Sequence, residues 1–229
     1  MDNVMTLIID IQYFASVNLY KSLHKFSNIV FEQYETYQKM GFRNRCQVAG
    51  AEGMINLSVP LVGGRDQKVL VKDVRISGRQ RWAAQHWKTI VSCYSRSPWF
   101  EFYRDELEGL YGRRFDFLLD WDLACFDWSL RALGMSVPVA LTDRWEKAYG
   151  DAGMIDWRGQ LLPKNRERGF ITAGVETGVE GGCDGAGNGG EIRQYRQVFE
   201  ERIGFIPNLS ILDLLFCEGK NAIRYIQSS

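Results

Sequence analysis

The stretch YQKMGFRNRC, residues 37–46, gathers three cations and one amide into seven positions, namely Lys39, Arg43, Asn44 and Arg45. Arginine and lysine side chains are standard partners for phosphate and carboxylate groups, so the pattern predicts an anion-binding site. In an extended segment Arg43 and Arg45 would point to one side of the chain and Asn44 to the other. The alternative is that these side chains anchor a surface hairpin through internal salt bridges.

His86 is the second candidate, between Trp82 and Trp87 in a segment with helical spacing. Trp82 and His86 are one helical turn apart and should share a face. Histidine titrates near neutral pH and is the usual proton-transfer residue, so we predict a general base. A packed structural histidine is the alternative. His24, on a predicted outer helix, is not a candidate.

Two acids complete the candidates. Asp10 interrupts an apolar run, where a carboxylate is costly unless it is paired. It could orient an arginine or accept a hydrogen bond from a substrate hydroxyl, or it could simply reach solvent at a strand end. Asp213 follows Ser210 at the spacing of a capping box. Otherwise it marks a site where the C-terminal block returns to the sheet.

A predicted βαβ unit would position Asp10 and the cluster at residues 37–46. Residues 5–11 are a nearly continuous apolar run, typical of a strand buried on both faces, and residues 28–37 are strand-like again. Between them, residues 16–26 have helical spacing, with Ser16 as N-cap. Parallel sheets bind ligands at the carboxyl ends of their strands, where the cluster at residues 37–46 should then lie.

The rest of the chain predicts a hairpin and several helices. Alternation on both sides of the turn AEG indicates a hairpin over residues 45–60. The remaining predicted elements are strands at 68–77 and 135–143, helices at 79–94, 99–112 and 115–133, and a short helix at 143–150. We therefore predict an α/β (or α+β) fold, with an N-terminal βαβ unit, a mixed sheet that includes the hairpin, and a mainly helical second half.

The length of 229 residues suits one domain with a proper core. Residues 172–190 are glycine-rich, lack large side chains and contain no GxxxxGK[ST] motif, so they predict a flexible loop and not a phosphate loop. Within a single domain 1–229, we predict that residues 1–78 are sheet-rich and residues 79–171 mainly helical. The loop 172–190 and a C-terminal helical block 191–229 would follow.

The composition argues against several classes of protein. Lys+Arg and Asp+Glu balance at 28 each, which disfavours nucleic-acid binding. No apolar run approaches the roughly 18–20 residues of a membrane span, and no signal peptide is recognisable, so we predict a cytoplasmic protein. Five scattered cysteines and two histidines predict free thiols and no metal site. The cofactor is unknown, and an oligomer is possible.

Several motifs together resemble the WbqC-like family, in particular its Bacteroidetes branch. They are QYF at 12–14, YQK at 37–39, RNRC at 43–46, LSVPL at 57–61, HWKTI at 86–90, CY at 93–94, SPWF at 97–100 and FIPNLSILDLLFCEG at 205–219. The H-x-G-H signature of nucleotidylyltransferases and the GxGxxG of dinucleotide folds are absent. The resemblance implies a role in surface-polysaccharide or O-antigen biosynthesis. It also implies site roles for Tyr13, Lys39, Asn44, Arg45, His86, Tyr94 and Asp213.

We therefore predict a transferase-type enzyme acting on an anionic activated donor, either a nucleotide-linked sugar or an acyl or aminoacyl carrier. Lys39 and Arg45 would hold the anion, and Asn44 would orient the donor. His86 would be the base, with Tyr13 or Tyr94 as hydrogen-bond partner. The alternative is a non-catalytic sugar- or partner-binding protein of the same pathway, in which the many Trp and Tyr form the binding face.

Overall fold

The chain begins with a parallel βαβ unit. The computed structural model describes residues 5–64, 66–78, 81–150, 152–163 and 194–227. Strand β1 (Thr6–Ile9) leads through helix α1 (Val17–Leu23) to strand β2 (Asn28–Phe31), and the two strands pair in parallel as predicted. The segment TLII is almost entirely buried, as expected for a strand covered on both faces.

Two later strands complete this sheet. Strand β5 (Val139–Leu141) pairs with β2, and strand β6 (Met154–Asp156) pairs with β1, both in parallel. The strand order is β5-β2-β1-β6. The carboxyl ends of all four strands therefore meet at one edge, which we call the carboxyl edge.

The predicted hairpin forms a sheet of its own. Strand β3 (Arg45–Gly50) pairs antiparallel with strand β4 (Gly53–Ser58) across a two-residue turn. Gly53 has a φ of 126°, a value that side-chain-bearing residues rarely adopt. The Ser210 N–H donates to the Gln47 carbonyl at 2.8 Å, so the hairpin also contacts the C-terminal block.

Helices build most of the second half, which confirms the mixed α/β class. Their bounds are α2 (Trp82–Tyr94), α3 (Phe100–Gly112), α4 (Leu118–Leu133), α5 (Glu200–Ile203), α6 (Ile211–Glu218) and α7 (Ala222–Gln227). Gly134 ends α4 in the left-handed conformation, and its N–H donates to carbonyls of the last turn. Nearly every residue of α6 is buried, so this helix lies in the centre of the protein.

Two predicted elements are wrong. Residues 68–77 form no strand but contain a 3-10 helix (Val71–Asp73). The Val71 N–H donates to the Glu35 carbonyl at 3.0 Å, so this segment follows the irregular chain after β2. Residues 143–150 are not helical, because the Glu146 carbonyl accepts a hydrogen bond from Arg158 instead of from a helical neighbour. The glycine-rich stretch 172–190 lies outside the described residues.

Aromatic rings fill the space between the sheet, the hairpin and the helices. The fully buried Trp121 lies against five rings, those of Tyr13, Phe14, Trp82, Tyr111 and Phe115. The four cysteines within the described ranges, Cys46, Cys93, Cys125 and Cys217, are buried and free. None of the described helices has the length and apolar character needed to cross a membrane.

Candidate functional site

A cavity of about 720 Å³ opens at the carboxyl edge, and we call it the cleft. This volume lies within the range of about 300–1,000 Å³ that small-molecule sites occupy. The polar and aromatic lining residues come from the chain after β2 and from the segments around β6. They are Tyr34, Glu35, Thr36, Gln38, Lys39, Arg43, Trp145, Lys147, Asp156, Arg158 and Gln160.

Arg43 forms a buried ion-pair cluster with Asp10 and Glu35 at the base of the cleft. Its Nη2 donates to Asp10 Oδ1 at 2.7 Å and also to Glu35 Oε1. The other Asp10 oxygen accepts the Gly159 N–H at 2.8 Å. Arg43 is only 4% exposed, so its charge depends on these two acids. Asp10 thus orients an arginine, the first of the alternatives considered for it.

Glu35 is the cleft residue whose pKa is best suited to proton transfer. Burial raises the pKa of Glu35 to about 7, against the lowering effect of Arg43. Asp10 raises it further, both by its charge and through a hydrogen bond between the two side chains. With Glu35 protonated, the cluster of Asp10, Arg43 and Glu35 is neutral, and without that proton it carries one negative charge. A carboxyl that titrates near neutral pH can accept or release a proton during a reaction.

A second network fixes the strand ends that surround this cluster. Glu32, fully buried, accepts hydrogen bonds from Thr142 Oγ1 at 2.9 Å, from the Tyr149 hydroxyl at 3.1 Å and from Arg158 Nη1 at 3.1 Å. Arg158 also pairs with Asp156 at 2.6 Å. The network joins the ends of β2, β5 and β6, so it holds one wall of the cleft in place.

Two lysines and a tryptophan lie on the same lining. Lys39 is exposed and pairs with the exposed Asp66, a contact worth about 0–1 kcal/mol that a ligand could replace. Lys147 has no ion pair within the described ranges. Trp145 is 53% exposed. An anion entering the cleft would therefore meet two cations and an aromatic surface.

Asn44 and Arg45 do not line the cleft. The Asn44 amide donates to the Val59 carbonyl at 3.0 Å and accepts from the Tyr37 hydroxyl at 3.1 Å, so it anchors the hairpin. Arg45 begins β3 opposite Ser58. Arg43 precedes the strand, so the alternation of an extended chain does not place it beside Arg45. Of the cationic cluster, Lys39 and Arg43 alone belong to the cleft lining.

His86 and Tyr13 lie in a buried hydrogen-bonded chain away from the cleft. The Tyr13 hydroxyl forms hydrogen bonds with His86 Nδ1 at 3.0 Å and with the Tyr111 hydroxyl at 2.6 Å. The His86 ring also donates to the Ser58 backbone carbonyl. Burial lowers the pKa of His86 to about 4 in spite of this last bond. These contacts hold His86 as a neutral ring inside the core.

Tyr94 and Asp213 lie in another buried network. Asp213 accepts hydrogen bonds from Tyr94 at 2.7 Å, from Tyr195 at 2.6 Å and from Gln197 at 2.9 Å. Ser210 caps α6 as predicted, because its hydroxyl accepts the Leu212 N–H. The Asp213 carboxylate does not complete a capping box, since it bonds to these three side chains instead. The network ties the C-terminal block to α2.

Glu35, Trp145, Lys147 and Arg158 are members of the cleft that sequence reasoning missed. Glu35 lies four residues after β2 and close to the end of the strand predicted at residues 28–37, and that position could have marked it. The other three depend on β6, which no pattern predicted. Among the described residues, no group of His, Cys, Asp and Glu side chains could hold a metal ion.

No curated protein and no solved structure matches the chain. A model of the WbqC-like protein family matches residues 12–164, which is more than half of the chain. The matched region contains Glu35, Arg43 and Arg158, and thus most of the cleft. The chain therefore belongs to the WbqC-like protein family.

Proposed function

We propose that this protein is a cytoplasmic transferase-type enzyme of surface-polysaccharide biosynthesis, which binds an anionic activated donor in the cleft. The observation that carries the proposal is Glu35, a carboxyl with a pKa of about 7 on the lining of a cavity that also holds two lysines. The role in polysaccharide biosynthesis rests on the family, and the reaction type rests on the cleft.

Glu35 would act as the general base of the transfer. It takes the proton from an acceptor hydroxyl or amine, whose oxygen or nitrogen then forms a bond to the transferred group. The bond between that group and the donor's leaving group breaks, and its electron pair departs with the leaving group. Lys39 and Lys147 would stabilise the negative charge that develops there. Arg43 and Asp10 are positioning residues for Glu35.

The lining favours a nucleotide-linked sugar over an acyl carrier. Asp156, Gln38 and Gln160 offer hydrogen-bonding groups suited to sugar hydroxyls, and Trp145 offers a ring face for stacking. An acyl chain would instead need a mostly apolar wall. Lys147 provides a cation for the phosphate groups of such a donor.

One observation favours the alternative, a non-catalytic binding protein. Lys39, Arg45 and His86 do not converge on one pocket, since of these three Lys39 alone lines the cleft. A catalytic role for His86 therefore does not enter the proposal. A binding protein would use Lys147 and Trp145 but would not need a proton acceptor, so Glu35 separates the two functions.

The test is a thermal-shift screen with nucleotide sugars, followed by titration of the best ligand. Binding to the native state raises its stability by mass action, so weak ligands also register. Lys147→Ala should weaken binding by about tenfold, the loss of one charge-assisted contact. Lys88→Ala, an exposed lysine on α2, is the matched control and should leave binding unchanged.

Glu35→Gln should keep the affinity for the donor but lower the transfer rate by roughly 10²-fold or more. Equal losses of affinity in Lys147→Ala and Lys88→Ala, or no stabilisation by any nucleotide sugar, would refute the donor site. Transfer at the wild-type rate in Glu35→Gln would refute Glu35 as the general base, whereas donor binding with no transfer by the wild type would favour the non-catalytic binding protein.

A further inference from the structure

A second cavity, of about 410 Å³, lies between the start of helix α2 and the chain that connects α3 to α4, and we call it the Trp82 cavity. Its lining comes from the start of α2, from residues 113–116 between α3 and α4, and from Ile76 and Gly78. None of its lining residues belongs to the cleft. Its volume also lies within the range of about 300–1,000 Å³ for small-molecule sites.

Two aromatic side chains give this cavity rigid apolar walls. Trp82 and Phe115 both pack edge-on against the buried Trp121, with ring centroids 5.2 and 5.3 Å from it. Trp82 also packs edge-on against His86. Both wall residues remain partly exposed on the cavity side. Because packing already fixes these rings, a ligand that stacks on them would order few side chains on binding.

An arginine without an acid partner lies beside these walls. The Arg113 guanidinium lies over one face of the Phe115 ring, 5.0 Å from its centroid, and it forms no ion pair with any acid of the described chain. The neighbouring Arg114 pairs with Asp116 at 3.4 Å, but both side chains are exposed and the pair is weak. The three charged lining residues therefore leave one net positive charge.

We propose that the Trp82 cavity is a second ligand site, which takes a small anion carrying a flat apolar ring, as in an aryl or nucleobase phosphate. The ring would stack against Trp82, next to the Phe115 ring that Arg113 covers on one face. The anionic group would accept the N–H edge of Arg113, whose planar fork suits phosphate and carboxylate. A bare anion would leave the aromatic walls unused, and an uncharged ring would leave the arginine unused.

Ligand-observed NMR and intrinsic tryptophan fluorescence test the proposal on the full chain. The probes are phenyl phosphate and AMP, with inorganic phosphate, benzyl alcohol and adenosine as the matched compounds that lack the ring or the charge. We expect each ring-bearing phosphate to bind at least about tenfold more tightly than its matched compounds. For the binding that Arg113→Gln weakens, a higher affinity for AMP than for phenyl phosphate would identify a nucleobase, and the reverse order a simple aryl group.

The variants separate this site from the rest of the surface. Arg113→Gln should weaken phenyl phosphate binding by about tenfold, whereas Arg104→Gln, which replaces an exposed arginine within α3, should not change it. Both replaced side chains are exposed, so the fold should persist, and circular dichroism checks this. Lys147→Ala should leave the Arg113-dependent binding intact whether or not the cleft binds a donor, because Lys147 does not line the Trp82 cavity. Equal effects of Arg113→Gln and Arg104→Gln, or equal affinities for phenyl phosphate and inorganic phosphate, would overturn the proposal.

Discussion

The raised pKa of Glu35 predicts that replacing this residue changes the stability of the protein in a pH-dependent way. A carboxyl with a pKa of about 7 in the folded protein and about 4.3 in the unfolded chain binds its proton more tightly when folded. Its contribution to stability is therefore complete below about pH 4 and is lost as the pH rises towards about 7. Glu35→Gln mimics the protonated form and removes this loss.

The magnitude follows from the two pKa values. Wild type should lose about 2 to 3 kcal/mol relative to Glu35→Gln between about pH 5 and about pH 8. The Glu35 side chain is 16% exposed, so solvent does not screen most of this effect. For a chain of this size the difference corresponds to a shift in Tm of roughly 5–10 °C.

Urea unfolding at the two pH values, followed by tryptophan fluorescence, measures the effect. The quantity compared is the difference in free energy of unfolding between variant and wild type, because any packing change cancels between the two pH values. Glu101→Gln, an exposed carboxyl on α3, is the control and should show no pH-dependent difference beyond about 0.5 kcal/mol. The same difference at both pH values for Glu35→Gln would refute the assignment of the raised pKa, and with it the proposed base.

Two further predictions concern the other buried groups. Arg43→Met leaves Asp10 and Glu35 without their cation. It should therefore lower the free energy of unfolding at neutral pH, measured by urea titration, by about 3–5 kcal/mol. A loss below about 1 kcal/mol would contradict the buried cluster. The stability contribution of His86 depends on pH in the opposite direction to that of Glu35. The pKa of His86 is about 4 in the folded protein and about 6.5 in the unfolded chain. Its contribution to stability is therefore present above about pH 6.5 and is lost as the pH falls towards about 4. His86→Gln should therefore cost about 2 kcal/mol more at about pH 8 than at about pH 5, and a pH-independent cost would contradict the buried neutral ring.

Local patterns in the sequence determined the regions of the fold that depend on neighbours along the chain. The apolar run that forms β1, the alternation of the hairpin and the periodicity of α2, α3 and α4 each express contacts within a few residues. Gly134 ends its helix for an equally local reason, since the left-handed conformation there favours glycine. These elements could be predicted because a single face or a single turn defines them.

The tertiary structure alone decided the chemistry of the cleft. Strand β6 is three residues long and has no pattern of its own, yet it places the Gly159 N–H on Asp10 across 149 positions of sequence. Arg43 and Asn44 are adjacent in sequence, but Arg43 enters the buried cluster with Glu35 while Asn44 anchors the hairpin. Burial and charge partners set a pKa, and both come from segments far apart in the chain. The sequence could therefore predict a cluster of cations near a strand end, whereas the fold selected Glu35, Arg43 and Lys147 from the surrounding residues.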